Sequence, residues 1–292
     1  KIKTHFGPED LCYDQEHNRL IISCTKRILN FNVEGKIQYM SLSNSNEKVK
    51  DFSIVGFDRK LFTPQGIYLK KIDDIQKLFV VNQKKVAQGI LVFTVHDDVL
   101  KLEKQYLKSE FNEIRKPNDL MVLDDGSIFV TCNVSYGYAF VKNRIKCGYV
   151  LRIKDNTTEK VLEKLGFPNG IAELNHEIYV LDNELLKCSY IKNDLKIIEK
   201  FPEFKGGDNI NVANDELIIT CLESETKFLV HALINKFHSP TTVKSFNTKT
   251  KKIDKLYPTN SFSISGGSSA ILLNNVLYIG QVFKNYILKV GL

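Results

Sequence analysis

The chain has 292 residues, 43% of them hydrophobic and 26% charged, with no Trp and a formal net charge of +7. That composition is ordinary for a globular protein, and no run of apolar residues is long enough to cross a membrane as a helix. The lysines are dispersed apart from Lys84-Lys85 and residues 249–252, and no aromatics are interleaved with them, which argues against a nucleic-acid surface.

In chain order, one pattern returns six times: a short turn, an apolar strand, a polar hairpin turn and a second apolar strand. The copies are PEDLCYDQEHNRLIISC from Pro8, PQGIYLKKIDDIQKLFVVN from Pro64, PNDLMVLDDGSIFVTCN from Pro117, PNGIAELNHEIYVLDN from Pro168, GDNINVANDELIITCL from Gly207 and GGSSAILLNNVLYIGQV from Gly266. They begin roughly 40 to 60 residues apart, the period of propellers, solenoids and arrays. In the third copy Leu120, Val122, Ile128 and Val130 alternate around Asp124-Asp125-Gly126, a hairpin signal. Asn175-His176, Asn214-Asp215 and Asn274-Asn275 hold the same offset later, and Asn and Asp tolerate the positive φ of tight turns. Residues 89–95, 148–154 and 286–290 are further strand-like stretches. Residues 103–114 read as a short helix or as another strand and loop. Residues 134–147 and 223–245 depart furthest from the repeat and are expected to cover one face. The expected fold is all-β: one six-bladed β-propeller over residues 1–292, with four-stranded blades around a central tunnel.

The six cysteines show no spacing suited to zinc. Cys24, Cys132 and Cys221 take matching places near the end of the second repeat strand and read as small buried hydrophobes. Cys12, Cys147 and Cys188 leave a disulfide open. Sequons at Asn133 and Asn156 mean little by themselves. The chain begins at Lys1 rather than Met, so any preceding signal or anchor is out of view, and the reading leans to export, whether secreted, periplasmic or membrane-anchored.

In a propeller, equivalent positions converge on the axis. Glu9, Asn118, Asn169, Asp208 and Asn209 then form one set of carboxylate and amide oxygens with a summed charge of −2. A hard cation takes six to eight oxygen ligands, and mixed amide and carboxylate donors favour calcium over transition metals. Asp10 and Asp119 form a second set deeper in the tunnel, with a backbone carbonyl nearby. Any one of these residues alone would read as a turn cap; seven at equivalent places read as a site.

The ordered motifs resemble the paraoxonase and arylesterase family of six-bladed propellers nearly end to end. The resemblance rests on Gly7-Pro8-Glu9-Asp10-Leu11, Thr63-Pro64-Gln65-Gly66-Ile67, Val80-Val81-Asn82-Gln83, Pro117-Asn118-Asp119-Leu120, Phe167-Pro168-Asn169-Gly170-Ile171, Asp208-Asn209-Ile210, Gly267-Ser268-Ser269 and Ile279-Gly280-Gln281-Val282-Phe283. It implies two calcium ions. One is catalytic, held by Glu9, Asn118, Asn169, Asp208 and Asn209. The other is structural, held by Asp10, Asp119 and the Ile67 carbonyl. It also implies hydrolysis of lactones or aryl esters, with a metal-polarised carbonyl and a metal-bound water. The substrate pocket is expected at Gln65, Gln83, Phe167, Leu222, Ser269 and Val282, with Tyr136, Tyr138, Phe140 and Phe228 on loops.

The family's histidine pair falls on Gln65 and Gln83, and a further family histidine on Leu222. An amide cannot accept a proton near neutral pH. The family's Thr-Asn-Asp-His stretch is Thr131-Cys132-Asn133-Val134 here, and the cysteine staple has no counterpart, with Val290 at the C-terminal position. The competing reading is a non-catalytic, calcium-stabilised propeller that binds a protein partner, as a scaffold or chaperone-like module. Gluconolactonase-like and strictosidine synthase-like propellers are neighbouring readings; the doubled Asp10 and Asp119 favour the two-calcium family. Of the histidines, His17 and His176 fall in hairpin turns, and His231 and His238 lie where a replacement base could come from.

Overall fold

The computed structural model describes residues 1–26, 34–43, 48–133, 146–233, 237–259 and 261–292. They form six antiparallel sheets, each built outward from an inner strand. Blade 1 comprises Pro8–Asp14, Arg19–Cys24, Lys36–Ser41 and Lys50–Asp51. Blade 2 is Pro64–Ile72, Ile75–Asn82, Gly89–His96 and Val99–Leu107, with Ser53–Val55 added in parallel as a fifth strand on its outer edge. Blade 3 is Pro117–Val122, Ile128–Cys132, Gly148–Lys154 and Thr157–Leu165. Blade 4 is Ile171–Leu174, Glu177–Leu181, Leu185–Ile191 and Asp194–Phe201. Blade 5 is Gly207–Ala213, Glu216–Leu222, Thr241–Phe246 and Ile253–Tyr257. Blade 6 is Gly267–Leu273, Val276–Gln281 and Tyr286–Gly291, completed by Ile2–Lys3 from the other end of the chain. The inner strands touch in the order one to six and back to one, closing a six-bladed β-propeller.

The inner hairpins of blades 2, 4, 5 and 6 are turned by paired left-handed residues. Asp73-Asp74, Asn175-His176, Asn214-Asp215 and Asn274-Asn275 all have φ between +49° and +63°, the geometry of a two-residue type I′ turn. In blade 3 the turn is longer, and Gly126 alone, at φ +78°, takes the left-handed place.

The core is six apolar layers, one between each pair of neighbouring blades. Leu120, Val122, Ile128 and Val130 pack on blade 2, while Met121 and Phe129 between them pack on blade 4. The alternation read from the third copy is therefore between two apolar faces, not between core and solvent. Burial on both faces is why the second strands are near-continuous apolar runs; Arg19–Cys24 is buried at every position. Outer strands such as Thr157–Leu165 are mostly solvated, burying only Val161 and Leu165.

Residues 103–114 resolve as the end of the strand Val99–Leu107 and a following loop. Within 223–245 lies a helix, α1 (Glu225–Leu233), and then the start of the strand Thr241–Phe246, so only part of that stretch stands apart from the repeat. Residues 134–145, with Tyr136, Tyr138 and Phe140, lie outside the described residues. No disulfide joins any of the six cysteines, and Cys24, Cys132 and Cys221 are buried as expected.

Closure is by strand pairing. Ile2 and Lys3 pair with Ile287 and Tyr286, and the Thr4 and Gly7 N–H groups donate to Asn285 and Lys284 carbonyls at 2.9 and 2.8 Å. Each net hydrogen bond is worth about 0.5–1.5 kcal/mol. Deleting residues 1–4 should therefore cost roughly 2–4 kcal/mol. Equilibrium denaturation of the truncated and parent chains measures it; equal midpoints would show that the last blade closes without this strand.

Candidate metal centre and active site

The feature that builds the centre is one irregularity repeated around the ring. In a regular strand, adjacent side chains point to opposite faces. Here the register slips between Pro8 and Asp10, Pro64 and Ile67, Pro117 and Leu120, Gly207 and Ile210, and Gly267 and Ala270. Each slip is a bulge with one extra residue at the start of the inner strand, and bulges re-aim side chains. The residues in these bulges are Glu9, Gln65-Gly66, Asn118-Asp119, Asp208-Asn209 and Ser268-Ser269, with Asp10 just after the first. Blade 4 places Asn169-Gly170 immediately before its inner strand.

Hydrogen bonds tie these residues across blades. Gln65 Nε2 donates to Glu9 Oε1 at 3.2 Å and to Asn118 Oδ1. Asn169 Nδ2 donates to Asp208 Oδ1. The Gly170 N–H donates to the Asp208 carbonyl at 2.8 Å. Ser268 Oγ donates to the Glu9 carbonyl at 2.7 Å, joining blade 6 to blade 1. Gly66 and Gly170 permit the close approach. A Cβ on Gly66 would lie 2.7 Å from the Asn118 carbonyl oxygen, and one on Gly170 would lie 2.8 Å from Asn209 Cα.

Asp10 and Asp119 have a second use. Asp10 accepts from its neighbour Leu11 N–H and from Ile67 N–H of blade 2, both at 2.8 Å. Asp119 accepts from Leu120 N–H at 2.8 Å and from Ile171 N–H of blade 4 at 3.0 Å. Each carboxylate stitches one blade to the next. Thr131 adds a third stitch, receiving the Asp119 N–H at 3.0 Å and donating to the Asn169 carbonyl at 2.6 Å.

The electrostatics are those of crowded, desolvated carboxylates. Burial first, then the charges of Asp119 and Glu9, push the Asp10 carboxyl well above its usual range, against the N–H bonds that favour its charge. Burial pushes Asp119 up to about 8, opposed by its two N–H bonds and reinforced by Glu9 and Asp208. A raised folded-state pKa gives stability that is complete below about pH 4, the unfolded carboxyl value, and is lost as the pH rises through about 8. The chelated protein should therefore melt lower at about pH 8.5 than at about pH 5.5, with calcium restoring most stability at the higher pH. Scanning calorimetry in chelator and in calcium tests this; a flat or rising profile in chelator would refute it.

The donor set fits a hard divalent cation. Asn209 Oδ1, Asn169 Oδ1 and Gln65 Oε1 are buried without a hydrogen-bond partner, and such oxygens are costly to leave unmet. Asn118, Asn169 and Asn209 are each below a tenth exposed. Among the described residues no three His, Cys, Asp or Glu side chains group as a metal cluster. This centre differs from such clusters because amides supply much of its oxygen, and a cation bound by amide and carboxylate oxygens does not require three acids together.

Of the residues expected to line a pocket, Ser269 is fully buried with Oγ unpartnered. Gln83 is half-buried and held by its Nε2 on the Pro117 carbonyl at 2.8 Å. Phe167, Leu222 and Val282 are half-buried, at the turn before blade 4 and at the ends of second strands in blades 5 and 6. The sequence did not single out Ser268 and Thr131 as site residues. Their place in the repeat, beside Ser269 and opposite Asp119, is the signal that finds them. His231 on α1 is buried, packs tilted against Phe283 with ring centroids 4.6 Å apart and bonds the Phe237 carbonyl through Nδ1. Because a carbonyl only accepts, Nδ1 carries the proton and Nε2, which has no partner, is the basic nitrogen. Burial lowers the His231 pKa, which favours neutral imidazole.

No curated protein sequence matches the chain. Solved structures similar to it include the calcium-binding protein regucalcin from Agrobacterium tumefaciens, at 13% identity over 95% of this chain and 82% of that one, TM-score 0.58. The Malassezia sympodialis allergen Mala s 1 is similar at 14% identity over 97% and 95%, TM-score 0.60. A gluconolactonase-like protein is similar at 12% identity over 99% and 89%, TM-score 0.56. At such identities these likenesses speak for the fold alone. The sequence profile described as Arylesterase matches residues 26–289, nearly the whole chain, and the chain belongs to the arylesterase family.

Proposed function

We propose that the chain is a calcium-dependent hydrolase of lactones or aryl esters. The observation that carries the reading is the pair of buried, unpartnered amide oxygens of Asn169 and Asn209 in one ring with Glu9 and Asp208, in a chain of the arylesterase family. Glu9, Asn118, Asn169, Asp208 and Asn209 hold the catalytic ion, and Asp10, Asp119 and the Ile67 carbonyl hold a second, structural one. Bound calcium supplies Lewis acidity, polarising the ester carbonyl and stabilising the developing oxyanion. Phe167, Leu222 and Val282, half-buried near the blade openings, would contact the substrate's acyl group. Gln65 and Gln83 orient but cannot take a proton. The proton acceptor is the Glu9 carboxylate, with His231 Nε2 the competing group.

The experiment is turnover of a panel containing a δ-lactone, an acyl-homoserine lactone and phenyl acetate, in calcium and in chelator. Calcium-dependent turnover supports the reading. A folded, calcium-loaded protein that turns over none of them supports the second reading, a calcium-stabilised binding propeller, which the replacement of the histidine pair by Gln65 and Gln83 favours. His231→Gln separates the two proton acceptors: loss of turnover with calcium affinity kept assigns the role to α1.

A further inference from the structure

The ring of blade openings holds one more oxygen than the set proposed above. Gln65 occupies in blade 2 the place that Glu9, Asn118, Asn169 and Asp208 occupy in blades 1, 3, 4 and 5. Its side chain is buried, at 5% exposure. Its amide nitrogen sits between two ligand oxygens, Glu9 Oε1 at 3.2 Å and Asn118 Oδ1. Its own Oε1 is buried with no partner.

Resting on the calcium reading, we infer that Gln65 is itself a ligand: with the cation bound, its amide turns over and Oε1 joins the coordination shell. The Nε2 hydrogens now supply positive charge to two oxygens that the cation would contact. Once the cation takes that part, an N–H facing it is repelled and a carbonyl oxygen facing it is attracted. Rotation about the terminal torsion of Gln exchanges the two atoms in the same space, and that torsion is soft. Which way an amide points follows from its partners. The turn also relieves the unpartnered Oε1. With Gln65 the side-chain ligands become Glu9, Gln65, Asn118, Asn169, Asp208 and Asn209, which reaches the lower end of calcium's six to eight oxygens without changing the charge of −2. An imidazole at this place would offer nitrogen, a poorer donor for a hard cation. Gln83 does not share the role, because it follows the second strand of blade 2 and lies outside the blade-opening bulge.

The test is calcium titration calorimetry, together with europium luminescence lifetimes in light and heavy water, which count metal-bound waters. It uses the full chain, Gln65→Met and Gln65→Glu. Gln65→Met keeps the length and loses the oxygen; it should raise the calcium Kd by roughly tenfold or more and add about one europium-bound water. Gln65→Glu keeps an oxygen and should keep the water count with calcium bound at least as tightly. Gln65→Met with an unchanged water count and a Kd within about twofold of the parent overturns the assignment while leaving the calcium reading intact. A parent chain that binds no calcium overturns both. If Gln65→Met does not fold, Gln65→Glu decides: an added water or calcium bound about tenfold more weakly overturns the assignment.

Discussion

Asp119→Ala should lower the melting temperature by on the order of 5–10 °C in calcium and by distinctly less in chelator. The change removes the acceptor for two buried N–H groups, Leu120 at 2.8 Å and Ile171 at 3.0 Å. An orphaned buried donor costs about 1–3 kcal/mol, so the two together cost roughly 3 kcal/mol or more. In chelator that loss is offset, because the same change relieves a desolvated carboxyl crowded by Glu9 and Asp208. If the proposed structural ion sits between Asp10 and Asp119, it neutralises that crowding in calcium, so nothing offsets the lost bonds. Melting curves of parent and variant, with and without calcium, separate the two uses of Asp119. An equal drop in both conditions means that Asp119 only stitches blade 3 to blade 4. A variant as stable as the parent in calcium removes Asp119 from both roles.

The contrast between conditions reflects what was legible in the sequence. Blades were legible because a two-residue hairpin demands left-handed residues, and Asn175-His176, Asn214-Asp215 and Asn274-Asn275 supply them. The two-residue closing strand Ile2–Lys3 carries no periodicity and exists only by pairing with residues 286–287 at the far end of the chain. The edge strand Ser53–Val55 is equally a product of its neighbour, Val99–Leu107. Helix α1 begins after Ser224, whose Oγ receives the Lys227 N–H at 3.3 Å, a cap too common to stand out inside a long connection. At the centre, residue types were legible but their mechanism was not. Adjacent candidates such as Asn118-Asp119 and Asp208-Asn209 cannot both face one axis from a regular strand. That contradiction signals the bulge, and the register slips between Pro117 and Leu120 and between Gly207 and Ile210 are its structural form. Asp10 and Asp119 read as ligands from their acidity, yet their bonds to Ile67 and Ile171 N–H depend on which blade stands beside which.

Glu9→Gln carries the largest expected effect on activity: a fall in kcat/KM of roughly 10²–10⁴, measured at calcium concentrations that saturate the variant. Glu9 is 3% exposed and bridges two blades, through Oε1 to Gln65 and through its carbonyl to Ser268. Gln at this position keeps an oxygen where Oε1 lies and keeps the backbone bond, so the ring retains its shape. It loses one of two negative charges in the proposed ligand set and the carboxylate that would accept a proton. Calcium should bind more weakly, which is why saturation must be shown before rates are compared. The chelated variant should melt no lower than the parent, since Asp10 and Asp119 lose a like charge beside them. A large loss of turnover with calcium bound and stability kept assigns the proton to Glu9 and explains how hydrolysis proceeds with Gln65 and Gln83 in place of imidazoles. Turnover retained with calcium bound moves the proton acceptor elsewhere, and the buried Nε2 of His231, left basic by the Nδ1 bond to the Phe237 carbonyl, is where the next substitution belongs.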